Sequence, residues 1–314
     1  MPEEISIRDV YGKTLVELGQ ENPDIVVLDA DLSHSTMTMF FGREFPKRFF
    51  NVGIAEQNLV SIAAGLAASG KIPFASTFAV FVPGRSFDQV RMSIAQPDRN
   101  VKLVSTHAGI SVGEDGMSHQ AIEDLALICA LPGFSVIIPA DAVETAQAVR
   151  VAANTRGPFY IRLCRPKVPT VNGANYRFEL GKAVGLREGV DTTIFAIGLM
   201  VAPAIEAAAI LATEGIKCSV INMPTLKPID EAAIIRAAEK TGAIVCAEEH
   251  LLHGGLGSAV ARVVVNNCPV PMEFVAINDR YAESGKQGEL FEKYGLTAQN
   301  IAQAVRGVIK RKTG

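Results

Sequence analysis

No apolar run in this 314-residue sequence reaches the length of a membrane span. Lys71, Pro73, Pro83 and Glu206 are among the residues that interrupt the candidates, and a spanning helix needs about 20 apolar residues in a row. Cysteine is scarce. The five present, Cys129, Cys164, Cys218, Cys246 and Cys268, are far apart, form no CxxC pair and sit in apolar surroundings. That pattern excludes a disulfide framework and reads as reduced core residues of a cytoplasmic protein. The acidic, polar start MPEEISIRD is no secretory signal. Neither sign of charge dominates: the formal net charge is -3, with Lys and Arg scattered. No nucleic-acid footprint is left by such a distribution, although a local anion site is compatible with it. There is no low-complexity segment, no short-period repeat, no GxSxG elbow, no GxGxxG and no P-loop.

What is present is a globular composition, 48% hydrophobic and 20% charged, on a chain long enough for two domains. Apolar runs at 25–28, 71–77, 100–106, 134–140 and 158–166 predict strands. Helical patterns at 6–20, 51–69, 83–96 and 141–154 fall between them, the last with Asp141 as its cap. Such alternation predicts a doubly wound, mostly parallel sheet over residues 1–170. Residues 171–190, which hold Gly173, Gly181 and Gly185 with weak periodicity and follow Pro166 and Pro169, read as a linker. A second, smaller α/β domain follows over 191–314, with Thr297 capping its last helix.

Several polar residues fall where such a sheet places ligand groups, after the carboxyl ends of its strands. Asp29, Asp31, Ser33, His34 and Ser35 crowd one loop. His107, Glu114, Asp115, Ser118 and His119 share another, with Gly109, Gly113 and Gly116 allowing tight turns. Their spacing matches no zinc pattern, so the loop reads as a grip for a polar substrate or as a self-bonded turn. Glu56 sits in the first turn of the 51–69 helix, whose apolar residues leave no clear polar face and predict burial on most sides. That acid either complements the helix dipole or faces a ligand. Phe78 and Phe81 close the 71–77 strand as core side chains or as a stacking surface. Further on, EEHLLHGGLGSA (248–259) resembles a phosphate-binding turn only loosely. His250 and His253 in it read as structural or interfacial.

The succession GIAEQN, TFAVF, HAGISVGEDGMSHQAIEDLA, a strand ending in Arg165, and EEH–GGLGSA closely resembles transketolase. The resemblance spans nearly the whole chain and covers the family's pyrimidine-binding and C-terminal domains. It implies a thiamine diphosphate enzyme that moves a two-carbon ketol unit from a ketose phosphate to an aldose phosphate in the pentose phosphate pathway. On this resemblance Glu56 bonds N1′ of the aminopyrimidine. Phe81, with Phe78, walls the ring, and Asp31 lies near the cofactor. Arg8, Ser35, His107 and Arg165 contact the sugar phosphate, and Asp115 and His119 hold its hydroxyls. Glu56, His107 and His119 would be catalytic. Gly84 departs from the family, replacing a common aromatic.

The resemblance also implies a second domain, marked by GDG with an Asn some 25–30 residues on, that binds the diphosphate through Mg2+. The sole similar string, GEDG at 113–116, belongs to the sugar loop. A split enzyme is therefore expected. This chain would be its C-terminal subunit, with no metal ligand of its own. A separate N-terminal subunit would supply the Mg2+ ligands, in a heterotetramer of two of each. The competing expectations are the beta subunit of a 2-oxoacid dehydrogenase, a 1-deoxyxylulose-5-phosphate synthase-like enzyme, and a binding protein that kept the fold without the chemistry. The 107–120 loop, Arg8 and Arg165 favour a sugar phosphate over a 2-oxoacid.

Overall fold

The computed structural model describes residues 4–173 and 175–313. Residues 1–3, 174 and 314 of the ranges above lie outside it. The first half runs β1 (Glu4–Ser6), α1 (Ile7–Glu21), β2 (Ile25–Asp29), α2 (Ser33–Thr36), α3 (Met39–Glu44), β3 (Phe49–Asn51), α4 (Glu56–Ala68), β4 (Ile72–Phe78), α5 (Val82–Gln89), β5 (Lys102–Thr106), α6 (Asp124–Cys129), β6 (Ser135–Ile137), α7 (Ala142–Asn154), β7 (Phe159–Arg162) and β8 (Lys167–Pro169). The second half runs β9 (Val184–Arg187), β10 (Thr192–Ala196), α8 (Val201–Ala212), β11 (Cys218–Asn222), β12 (Thr225–Lys227), α9 (Glu231–Thr241), β13 (Ile244–Leu251), α10 (Leu256–Asn267), β14 (Met272–Ile277), α11 (Gln287–Tyr294) and α12 (Ala298–Thr313).

Central strands such as β2 (IVVLD) and β5 (KLVST) are buried along their whole length. Helices cover both faces of a parallel sheet, so its strands need no polar side. The strand order is β12-β6-β7-β5-β4-β2-β3, parallel except where β12 runs antiparallel to β6. The second sheet, β14-β13-β10-β11-β9, is parallel except for β9 against β11. The architecture is the expected α/β fold, a first unit on a seven-stranded sheet and a smaller α/β unit on a five-stranded one. The halves interlock, because β12 from the second series completes the first sheet. Residues 184–187, inside the stretch expected as linker, are not irregular: they form the edge strand β9. A strand this short and half-exposed carries too little apolar periodicity to be read from sequence. The β1–β8 ribbon ties the start of the first unit to its end.

Capping follows the sequence. Ser6 accepts from the Asp9 amide at the head of α1, Asp141 from Glu144 on α7, Asp230 from Ala233 on α9, and Thr297 from Asn300 on α12. One expectation is corrected. Helix α4 is not buried on most sides: Leu59, Val60, Ala63 and Ala64 pack inward, while Gln57, Asn58, Ser61, Gly65 and Ala68 are exposed. Alanine and glycine make both faces look apolar, and only one of them packs against the fold.

Candidate functional site

The carboxyl ends of the parallel strands converge. Phe78 closes β4, His107 follows β5, Arg165 follows β7, and Glu56 opens α4 just beyond β3. Gly53, at φ 74°, turns the chain from β3 towards α4. The Glu56 side chain is 7% exposed and accepts a hydrogen bond at Oε1 from Arg85 Nη1 at 2.8 Å. The Arg85 guanidinium carbon lies 4.0 Å from the centroid of the Phe81 ring. Phe81 is near-parallel to Phe78 at 5.7 Å, and Phe78 stacks on the His107 imidazole at 3.9 Å. His119 points its edge at Phe81 from 5.5 Å, and its Nδ1 lies 2.9 Å from Ser118 Oγ. Carboxylate, guanidinium, two rings and two imidazoles thus form one continuous surface.

His107 adopts a left-handed backbone, φ 56°, which costs a non-glycine residue about 1–3 kcal/mol and persists only where the surroundings hold it. Its Nδ1 lies 2.9 Å from Thr106 Oγ1. Burial, reinforced by the positive charges of Arg8 and Arg165, pushes its pKa down to about 3. The imidazole is therefore neutral at pH 7.

Arg8 donates Nη1 to the Ser35 carbonyl at 2.7 Å and Nη2 to the Arg165 carbonyl at 3.1 Å. Ser35 thus meets Arg8 through its backbone. Arg165 donates to the Val112 carbonyl, and its Nη1 lies 3.9 Å from Asp115 Oδ2. Both arginines border a cavity of about 370 Å³ whose other walls are residues 111–114 and 285–287. Asp31 stands apart, paired with Asn51 Nδ2 at 2.9 Å. The buried acid of its loop is Asp29, which accepts from Leu32 N, Thr36 Oγ1 and Thr38 Oγ1 and so holds the turn that carries Ser35.

The EEH segment is not a phosphate-binding turn. Glu248, within β13, already occupies the head of α10, accepting from Leu256 N at 2.7 Å and Gly257 N at 2.8 Å. A Cβ at Gly255 would lie 1.9 Å from its Oε2. The chain fills that helix head with its own carboxyl group. His250 is buried with Nδ1 on the Leu251 carbonyl, and burial pushes it down to about 4. Burial pushes the Cys129, Cys164 and Cys218 thiols up to about 12, so none is a poised thiolate. Among the described residues no group of three or more His, Cys, Asp or Glu is placed to hold a metal ion, and no helix is long and apolar enough to cross a membrane.

Arg85, Ser111 and Glu249 were not singled out from sequence. Arg85 reaches Glu56 from a different element, and no local pattern marks such a pairing. Glu249 did leave a signal, since acids inside an apolar strand run require buried partners.

The Glu56–Phe81 surface places a shielded carboxylate beside an aromatic face. Comparison with known proteins identifies the family. The model of the transketolase pyrimidine-binding domain matches residues 3–170, and that of the transketolase C-terminal domain matches residues 181–301. A protein assigned as a transketolase C-terminal section in Methanocaldococcus jannaschii is 44% identical, over 98% of this chain and 97% of that one. A 6-deoxy-6-sulfo-D-fructose transketolase subunit from Clostridium sp. (strain MSTE9) is also 44% identical, over 99% and 96%. A solved structure described as a split gene transketolase, inactive beta4 tetramer, superposes with TM-score 0.92 at 54% identity, covering 98% of this chain and 99% of that one. The chain belongs to the transketolase family, carries its pyrimidine-binding and C-terminal domains, and corresponds in extent to the family's C-terminal sections.

Proposed function

We propose that this chain is the C-terminal subunit of a split transketolase, moving a two-carbon ketol unit from a ketose phosphate to an aldose phosphate in complex with an N-terminal subunit. The observation that carries the reading is the placement of shielded Glu56 beside Phe81, on one surface with neutral His107, His119 and the two arginines. Thiamine diphosphate, when bound, supplies the nucleophilic carbon and the electron sink for breaking the donor's C2–C3 bond. Glu56 would hold N1′ of its pyrimidine, with Phe81, backed by Phe78, against the ring. His107, being neutral and engaged at Nδ1 by Thr106, would offer its remaining ring nitrogen to a sugar oxygen as donor or acceptor according to its tautomer. His119 and Asp115 would orient hydroxyls. Arg8 and Arg165 offer planar donor forks to the phosphate, and Ser35 completes that end. Asp31 is assigned to the cofactor's surroundings on the family resemblance alone.

This chain's own residues fit the pyrimidine half of the cofactor. The diphosphate and its Mg2+ are assigned to the partner on the family resemblance. A heterotetramer of two of each subunit, in the cytoplasm, fits this division. The 44% identity to a sulfofructose transketolase subunit favours one second reading, a sulfonated donor in place of a phosphorylated one. The test is to mix the purified chain with the N-terminal subunit, cofactor and Mg2+. Xylulose 5-phosphate, 6-deoxy-6-sulfofructose and pyruvate are then compared as donors. Preference for pyruvate would overturn the reading in favour of a 2-oxoacid dehydrogenase subunit or a deoxyxylulose-phosphate synthase.

A further inference from the structure

Ser111 stands in the loop that leads away from His107, and the second domain holds it from beneath. Its amide donates to Glu249 Oε1 at 2.5 Å, and its hydroxyl lies 3.3 Å from Oε2. Both residues are 3% exposed. Gly109 presses on the same carboxylate: a Cβ there would lie 2.2 Å from Glu249 Cδ. With φ at 77°, position 109 is restricted to glycine twice over. The far end of the loop is tied to the same strand. Leu251 N donates to the Ile122 carbonyl at 2.8 Å. Arg162 Nη2 bridges the Ala121 and Glu249 carbonyls at 3.1 Å each.

This loop carries His107 at one end and, at Val112, the carbonyl that receives Arg165. A carboxylate on a buried strand is retained where it is fully hydrogen-bonded and fixes a geometry. We propose that Glu249 is a positioning residue through which the second domain sets the places of His107 and Arg165 against the substrate. The proposal rests on the ketol-transfer reading for its consequence in turnover, and on geometry alone for the clamp. Glutamine at 249 keeps an acceptor oxygen for the Ser111 amide, and the Ser111 hydroxyl can turn to accept from its NH2. Alanine removes both contacts.

The test uses the complex with the N-terminal subunit and, separately, hydrogen exchange of the purified chain. Glu249→Ala is expected to raise the donor KM about tenfold or more, the loss that follows when the buried Ser111 amide is left without its acceptor. Cofactor affinity should stay within about twofold, since neither Glu56 nor Phe81 touches the clamp. Glu249→Gln should recover most of the KM. Exchange at the 111–113 amides should quicken in Glu249→Ala while the α8 and α12 amides keep their rates. Unchanged KM and unchanged loop exchange would overturn the proposal. So would exchange that quickens throughout the chain, or cofactor affinity that falls as far as substrate affinity. A wild-type complex that transfers no ketol unit, with loop exchange still responding to Glu249→Ala alone, would uphold the clamp and defeat the functional reading.

Discussion

Arg85 Nη1 lies 2.8 Å from Glu56 Oε1, and the same guanidinium covers the face of Phe81 at 4.0 Å. The cation thus stands against both groups that a bound aminopyrimidine would use. The Arg85 side chain is 51% exposed, so its hold on either group is weak. An exposed ion pair contributes about 0–1 kcal/mol and an exposed cation–π contact about 0.5–1 kcal/mol. On the proposed reading, Arg85 would give way to a pyrimidine seated on Phe81. Arg85→Ala is accordingly expected to change the cofactor dissociation constant by less than about tenfold. Titration of the reconstituted complex with thiamine diphosphate measures this. A hundredfold loss would make Arg85 a cofactor ligand.

His107 is neutral across the physiological range, because burial and the neighbouring cations push its pKa down to about 3. Its titration therefore contributes no limb to a pH–rate profile between pH 5 and 8. His107→Asn should raise the donor KM and leave the inflection points of kcat against pH where they are in the wild type. An inflection between pH 5 and 8 that disappears in His107→Asn would show that the imidazole titrates in turnover.

The Arg162–Asp124 pair is buried where the 107–120 loop ends, with Nε 2.8 Å from Oδ2 and side chains 6% and 2% exposed. Tyr160 donates to the same oxygen at 2.7 Å. Removing one member leaves a buried charge without its partner, which costs about 3–5 kcal/mol. Arg162→Ala should lower the unfolding free energy by that amount, measured by denaturant titration. A loss below about 1 kcal/mol would mean that the Asp124 site had taken in water or relaxed.

Burial pushes Glu248 up to about 7 even though it caps α10. Its folded pKa lies above its unfolded value, so the folded chain binds more protons here than the unfolded chain. The contribution to stability is fully present below about pH 4.5 and is lost as pH rises through 7. Glu248→Gln removes this titration and leaves every other group in place. The stability of the wild type minus that of Glu248→Gln should fall by up to about 1.4 kcal/mol per pH unit between pH 4.5 and 7 and level off above. A difference that stays flat or rises over that window would show that Glu248 is ionised throughout.

Much of this was legible in the sequence, for identifiable reasons. The buried strands announced themselves as apolar runs, and Asp141 and Thr297 as caps, because both signals are local. Glu56, Phe81 and His107 were recognisable as a set because their motifs keep a family order. Strand β9 and the exchange of β12 into the first sheet were not legible, being three- and four-residue pieces fixed by tertiary pairing. Helix α4 read as buried because alanine and glycine do not mark which face packs inward. Arg85 and Glu249 act across elements 29 and 138 residues from their partners. Only the folded chain brings such groups together.

The central claim is that this chain carries the pyrimidine half of a ketol-transferring site, centred on Glu56. The measurement that tests it most directly is ketol transfer from xylulose 5-phosphate by the chain alone, by its complex with the N-terminal subunit, and by the complex carrying Glu56→Ala. The chain alone should be inactive and the wild-type complex active. The Glu56→Ala complex should assemble normally and lose activity by about a hundredfold or more, as when an essential proton-handling group is removed. Turnover by the chain alone, or an undiminished rate in the Glu56→Ala complex, would contradict the account.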